Sequence, residues 1–313
     1  MSWTIQAAAS QNGHLAIVTG ANTGLGYDTA LALAGKGCAV VLACRNMDKA
    51  RKARLEILKP FPKATIECLS LDLSSQQSVR AFVTAFTENY DKLDLLINNA
   101  GIMMPPFSLS EDGFESQLAA NYLGHFALTG LLLPLLTRTP NSRIVSLSSL
   151  AHNWGGIRFD DLNFARGYNK RAAYGQSKLA CLMFAYELNR RLRATGSKTL
   201  SVAAHPGVAA TNLAQHFPRF MSALFPLVGQ SAANGALPTL YAALGEDIEG
   251  GDYCGPQSLQ QMRGAPIKVG SNKASRDEAA AARLWALSEQ LTGVRYAFCS
   301  DTAGLRSAPD RAA

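Results

Sequence analysis

Short apolar runs of strand length alternate with helix-like stretches along most of the chain. Residues 14–19 form the first run. The turn Gly20-Ala21-Asn22-Thr23-Gly24-Leu25-Gly26 follows and opens a helix over 27–35, and a second run, rich in β-branched side chains, occupies 38–43. Residues 14–43 are therefore expected to form a strand–turn–helix–strand unit. Beyond it the pattern predicts a helix over 48–58, stopped at Pro60 because proline has no N–H to donate and restricts its predecessor. A strand over 66–71, a helix capped by Ser74 or Ser75, a strand over 93–97, a helix over 111–137 and a strand over 143–147 come next. An irregular stretch over 150–171 precedes a helix over 172–194, with Leu179, Leu182, Met183, Tyr186 and Leu192 along one apolar side. The remaining elements are a strand over 199–204, a loop-rich but apolar stretch over 206–229, a helix over 231–244, a short strand at Tyr253 and a last helix over 278–290.

Strands that are apolar throughout and alternate with helices imply an α/β fold, a doubly wound parallel sheet of about seven strands covered on both faces. No linker rich in Pro, Gly and Ser divides the 313 residues, so one domain over 14–292 is expected, with an arm at 1–13 and a C-terminal extension at 293–313. Hydrophobic residues at 48% and charged residues at 17% exclude a disordered chain, a collagen-like repeat and a charged coiled coil. The net charge of +7 is mild, and its densest stretches, 49–54 and 190–198, read as solvated helix faces, so no nucleic-acid partner is expected. The six cysteines form no CxxC pair and read as reduced core residues of a cytoplasmic protein, with no metal site. The first ten residues lack the basic and apolar segments of a secretory leader, and no uninterrupted apolar run reaches the roughly 18 residues of a membrane span.

Gly20, Gly24 and Gly26 stand between a strand and a helix, where glycines let the backbone turn tightly and approach a pyrophosphate at the free N–H groups of the helix start. At the end of the second strand, where a carboxylate would bond the ribose 2'-hydroxyl of NAD, this chain has Cys44-Arg45-Asn46. The planar fork of Arg45 suits a 2'-phosphate, which favours NADP over NAD. Tyr174 and Lys178, four residues apart, share one helix face. A nearby ammonium stabilises a phenolate, so the pair suits proton transfer in a carbonyl–alcohol interconversion. Ser148 and Ser149 end one strand, Asn99 and Gly101 another, at the carboxyl edge where α/β sheets bind ligands. Asn121, inside an expected helix, carries a propensity cost that asks for a packing or functional reason.

These residues, in this order and spacing, resemble the classical short-chain dehydrogenase/reductase superfamily. The matching elements are Thr19-Gly20, Gly24 and Gly26, Asp72, Asn98-Asn99-Ala100-Gly101, Asn121, Ser149, Tyr174 with Lys178, and Pro206-Gly207 with Thr211. Cys44-Arg45-Asn46, Ser149 to His152, Phe159 to Leu162 and Ala204 to Gly207 are similar to the retinol-dehydrogenase-like and protochlorophyllide-reductase-like branch. The resemblance implies a Rossmann-type fold and an NADP(H)-dependent oxidoreductase. In it Tyr174 is the acid in reduction and the base in oxidation, Ser149 polarises the substrate carbonyl, Lys178 holds the nicotinamide ribose, and Asn121 holds a water that links Lys178 to solvent. It also assigns cofactor contacts to Asn22, Thr23, Leu25, Arg45, Asn46, Asp72 at the adenine, Leu73, Asn99, Ala100, Gly101, Pro206 and Gly207, with Thr211 at the nicotinamide carboxamide.

The expected substrate is an apolar small-molecule carbonyl or alcohol, walled by 150–171 and 206–229. The same apolar stretches equally suit core packing or a contact between copies in a homo-oligomer. His205 is read as structural. Two other classes use related parts: extended members acting on nucleotide sugars, which the glycine spacing disfavours, and a non-catalytic nicotinamide-nucleotide scaffold or sensor, which has no need of an intact Ser149, Tyr174 and Lys178.

Overall fold

The computed structural model describes residues 2–208 and 230–298. Its sheet has eight strands: β1 (Leu15–Thr19), β2 (Ala39–Cys44), β3 (Ile66–Ser70), β4 (Leu95–Asn98), β5 (Arg143–Leu147), β6 (Leu200–Ala204), β7 (Tyr253–Ser258) and β8 (Arg263–Lys268). Their order is β3-β2-β1-β4-β5-β6-β7-β8; the first seven run parallel and β8 returns antiparallel to β7. The expected parallel sheet is present, with one more edge strand than the apolar pattern predicted. β8 escapes that pattern because it is mostly exposed and carries Gly264 and Pro266.

The helices are α1 (Gly24–Gly35), α2 (Met47–Leu58), α3 (Gln76–Thr87), α4 (Gly124–Arg138), α5 (Lys170–Ala194), α6 (Ala232–Leu244) and α7 (Glu278–Thr292). Alternate residues of each strand face opposite layers. Leu15 and Ile17 of β1 join the core under α3, α4, α5 and α7, whereas Ala16 and Val18 join the core under α1, α2 and α6. Asn46, Ser75, Asn169, Ser231 and Asp277 cap their helices by accepting a backbone N–H, which sets where each begins.

Two expectations change. The helix expected from 111 begins at Ser116, because residues 110–113 form a turn and the buried Glu115 carboxylate caps the amides of Gln117 and Leu118. α5 is not amphipathic: residues 173–185 are buried without a break, since the sheet, the turn after β5 and α7 enclose it. The run Ser116–Arg138 is long and apolar enough to cross a membrane by composition, yet 83% of its apolar window is buried inside the fold, so it serves as a core helix.

At the ends of the domain, Trp3 packs on Tyr241 at 5.4 Å, and past α7 the Tyr296 ring closes on Trp285 at 4.5 Å. Strand order reverses between β1 and β4, the switch point where open α/β sheets leave a crevice at the strands' carboxyl ends. The five described cysteines are free, and four are buried.

Candidate active site

The crevice is built first from backbone. After Thr19 the chain turns through Gly20, whose φ of +65° is left-handed, and α1 opens at Gly24 with Asn22, Thr23 and Leu25 at its mouth. Gly26 lies so close to the carbonyl of Gly20 and the amide of Asn99 that a Cβ there would sit 2.5 Å from each. Asn99 donates its Nδ2 to Thr19 O at 2.7 Å, and Thr19 Oγ1 accepts the amides of Asn99 and Ala100, each at 2.9 Å. Asn99 Oδ1 is buried with no donor among the described residues. A glycine cradle at a helix start, beside an acceptor that lacks a donor, fits a dinucleotide with its phosphates and ribose hydroxyls.

Arg45 and Asp72 flank the outer end of this cradle. Arg45 is 73% exposed and comes no nearer than 3.7 Å to Asp72, so its donors are available to an anion. Asp72 Oδ1 accepts the amide and hydroxyl of Ser74, while Leu73 is buried beneath the start of α4. Asn46 spends its side-chain oxygen on the amide of Lys49 at 2.9 Å. Its place beside Arg45 is as expected, but that oxygen is engaged as a helix cap.

The proton-handling residues converge on the same edge. Lys178 is buried and donates to Leu147 O at 3.0 Å, which holds its ammonium at the end of β5, and Gly101 lies against it and Asn121. Tyr174, one turn earlier on α5, is buried among Met103, Met104 and Ala151. No described residue hydrogen-bonds its hydroxyl. The two serines separate cleanly. Ser148 is buried and donates to Lys178 O at 2.8 Å, fastening β5 to α5. Ser149 is half-buried at the crevice; among the described residues its hydroxyl accepts from Ala151 N alone, at 3.2 Å, and its proton has no acceptor there.

Asn121 lies in a π-helical turn, Ala119–Leu123. Its side chain grips both backbone groups of Ile102, at 2.8 and 3.0 Å, and donates to Ser177 Oγ at 2.9 Å. Its carbonyl receives His125 Nδ1–H at 2.9 Å and the Cys181 thiol at 3.1 Å. The side chain and the carbonyl of Asn121, expected to hold a water, thus both engage protein groups.

His125 was absent from the expected set. With Nδ1 donating to a carbonyl, its Nε2 is the bare acceptor, so the Thr19 hydroxyl at 2.9 Å donates to it. One fully buried ring thus ties the glycine turn, the Asn99-Ala100 loop and the Asn121 turn together, and burial pushes its pKa down to about 4. A histidine within an apolar helix reads as packing in sequence, and only the fold reveals its partners. His205, expected to be structural, is fully buried, bonded to Gln261 Oε1 at 3.0 Å, and also pushed down to about 4 by burial. Pro206 and Gly207 follow it at the crevice; Thr211 and most of the 206–229 stretch lie outside the described residues.

A glycine-turn nucleotide fold with serine, tyrosine and lysine at its switch point defines a dehydrogenase-type site. The profile of the short chain dehydrogenase family matches residues 14–221, and the chain belongs to that family. Among its relatives, retinol dehydrogenase 13 from Homo sapiens is 43% identical over 294 residues, covering 90% of this chain and 85% of that protein. Retinol dehydrogenase 12 from Mus musculus is 40% identical over 286 residues, covering 91% and 88%. The crystal structure of an uncharacterised protein from Mycobacterium paratuberculosis has a TM-score of 0.81 and 42% identity, covering 95% of this chain and all of that one. A short chain dehydrogenase from Shigella flexneri, complexed with NADP, shares the fold at a TM-score of 0.63 and 23% identity, covering 77% and 96%.

Proposed function

We propose that the protein is an NADP(H)-dependent oxidoreductase that interconverts a carbonyl and an alcohol on an apolar small molecule. The observation that carries this reading is the convergence at the carboxyl edge of the sheet of a buried, fixed Lys178 with the Ser149 hydroxyl and the Tyr174 phenol, neither of which donates to any described residue. The exposed, loosely paired Arg45 supports the phosphorylated form of the cofactor. The names of the relatives support an apolar alcohol or aldehyde. The free, mostly buried cysteines suit a reducing compartment, and we place the protein in the cytoplasm.

Gly20 to Gly26, Arg45, Asp72, Asn99 and Lys178 would hold the cofactor, which when bound supplies or accepts the hydride. In reduction, Ser149 donates to the substrate oxygen as negative charge grows there, and Tyr174 delivers the proton that neutralises it. In oxidation Tyr174 removes that proton. Lys178, pinned by Leu147 O, is held one helical turn from Tyr174, on the same face of α5. Because these groups are held before substrate arrives, their stabilisation falls mainly on the transition state.

The test is a screen of aldehydes, ketones and alcohols with each nicotinamide cofactor, read at the 340 nm band of the reduced cofactor. Tyr174→Phe should retain cofactor binding and lose roughly 10²- to 10⁴-fold in turnover. Full activity in that variant would refute the assignment.

A further inference from the structure

Trp154 follows the short turn Leu150–Asn153 that Ser149 caps, and its ring centre stands 6.0 Å from that of Tyr174 at a 56° tilt. It is 36% exposed, although most large apolar side chains of the chain are buried. Two features hold it there. The guanidinium of Arg171 lies 4.5 Å over the indole, a cation–π arrangement. Gly175, the residue after the catalytic tyrosine, lets the turn press against α5: a Cβ there would stand 3.0 Å from Trp154 Cβ and 3.1 Å from Ala151 O. Met103 and Met104 also pack around Tyr174, and the Met104 amide is held by Gln117 Oε1 at 2.8 Å. Trp154 further borders a cleft of about 530 Å³, with Leu150, Gln261 and Met262 on its walls.

We infer that Trp154 determines substrate specificity, selecting carbonyls joined to a flat aromatic or conjugated group; this rests on the oxidoreductase reading above. An indole fixed by a cation presents a rigid surface at little entropic cost, and methionine sulfur adds polarisable contact. A planar π group gains offset stacking against that surface. A puckered saturated ring of the same size gains only burial. Aromatic pairing is worth about 0.5–1.5 kcal/mol beyond burial, or roughly two- to tenfold.

Benzaldehyde and cyclohexanecarbaldehyde, reduced with NADPH, give a kcat/KM ratio for the wild type. Comparing that ratio across variants cancels the intrinsic reactivity of the two aldehydes. Trp154→Leu should lower it about two- to tenfold, with the change in KM, while Trp154→Phe keeps most of it. Calorimetric binding of benzamide and cyclohexanecarboxamide to the protein with NADP should show the same loss of preference. Equal weakening of both ligands, or no weakening, in Trp154→Leu overturns the inference, since a merely structural role would treat both alike. If neither aldehyde turns over, the amide pair alone decides whether Trp154 selects flat ligands, and the wider screen of carbonyls and alcohols decides the oxidoreductase reading.

Discussion

His125 and His205 give the fold an acid sensitivity whose size follows from their burial. Each is held near pKa 4 in the folded protein by loss of hydration, against about 6.5 for an unhindered histidine. Between those values the unfolded chain binds a proton that the folded chain refuses. The stabilising contribution is thus fully present above pH 6.5 and is lost as the pH falls through about 4. A gap of about 2.5 units corresponds to roughly 3 kcal/mol per ring at completion, and to about 2 kcal/mol each at pH 5. Two rings therefore remove about 4 kcal/mol at pH 5, a large part of a typical stability of about 5–15 kcal/mol. His152, also lowered by burial, acts in the same direction, while Asp28, raised by burial, acts in the opposite one at lower pH. Urea unfolding at pH 7.5 and pH 5.0 measures the effect as a shift in midpoint. His125→Asn keeps a donor toward Asn121 O but cannot titrate, so its loss between the two pH values should be smaller by about 2 kcal/mol. The same loss as wild type in both His125→Asn and His205→Gln would refute the reasoning.

Other consequences are sharper at the site. Arg45→Ala should weaken NADPH roughly 10- to 100-fold, the worth of a charge-assisted bond, and leave NADH unchanged; cofactor titration by fluorescence reads both. Ser149→Ala should lower kcat about 100-fold or more, with at most the small loss of stability, about 0.5–2 kcal/mol, of its cap on Ala151 N. Ser148→Ala should do the reverse, costing about 0.5–1.5 kcal/mol of stability through the lost bond to the Lys178 carbonyl.

Much of the site was legible because its chemistry depends on residue type at fixed spacing. Glycines at a strand–helix junction, a tyrosine and lysine one helical turn apart, and an arginine after β2 each carry a local physical meaning. The strands inside the sheet were legible for the same reason, being apolar on both faces. What sequence concealed depends on partners far along the chain. The π turn at Asn121 accompanies its grip on Ile102, and the division of labour between Ser148 and Ser149 appears only when α5 lies beside β5. His125 acquires its role from Thr19, 106 positions away. The edge strand β8 buries only Pro266 and is interrupted by Gly264 and Pro266, so no hydrophobic rhythm announces it.

Val208 and Gln230 carry a consequence for how such an enzyme changes over time. The amide of Gln230 donates to Val208 O at 2.9 Å, and its side chain spans Pro206 O and the amide of Gly264 at 2.8 and 3.2 Å. One side chain thus joins the backbone after β6 to the backbone of β8, using a donor and an acceptor at once. Drift at position 230 is therefore held by two distant backbone groups together, and only a residue of similar reach that both donates and accepts can replace the glutamine.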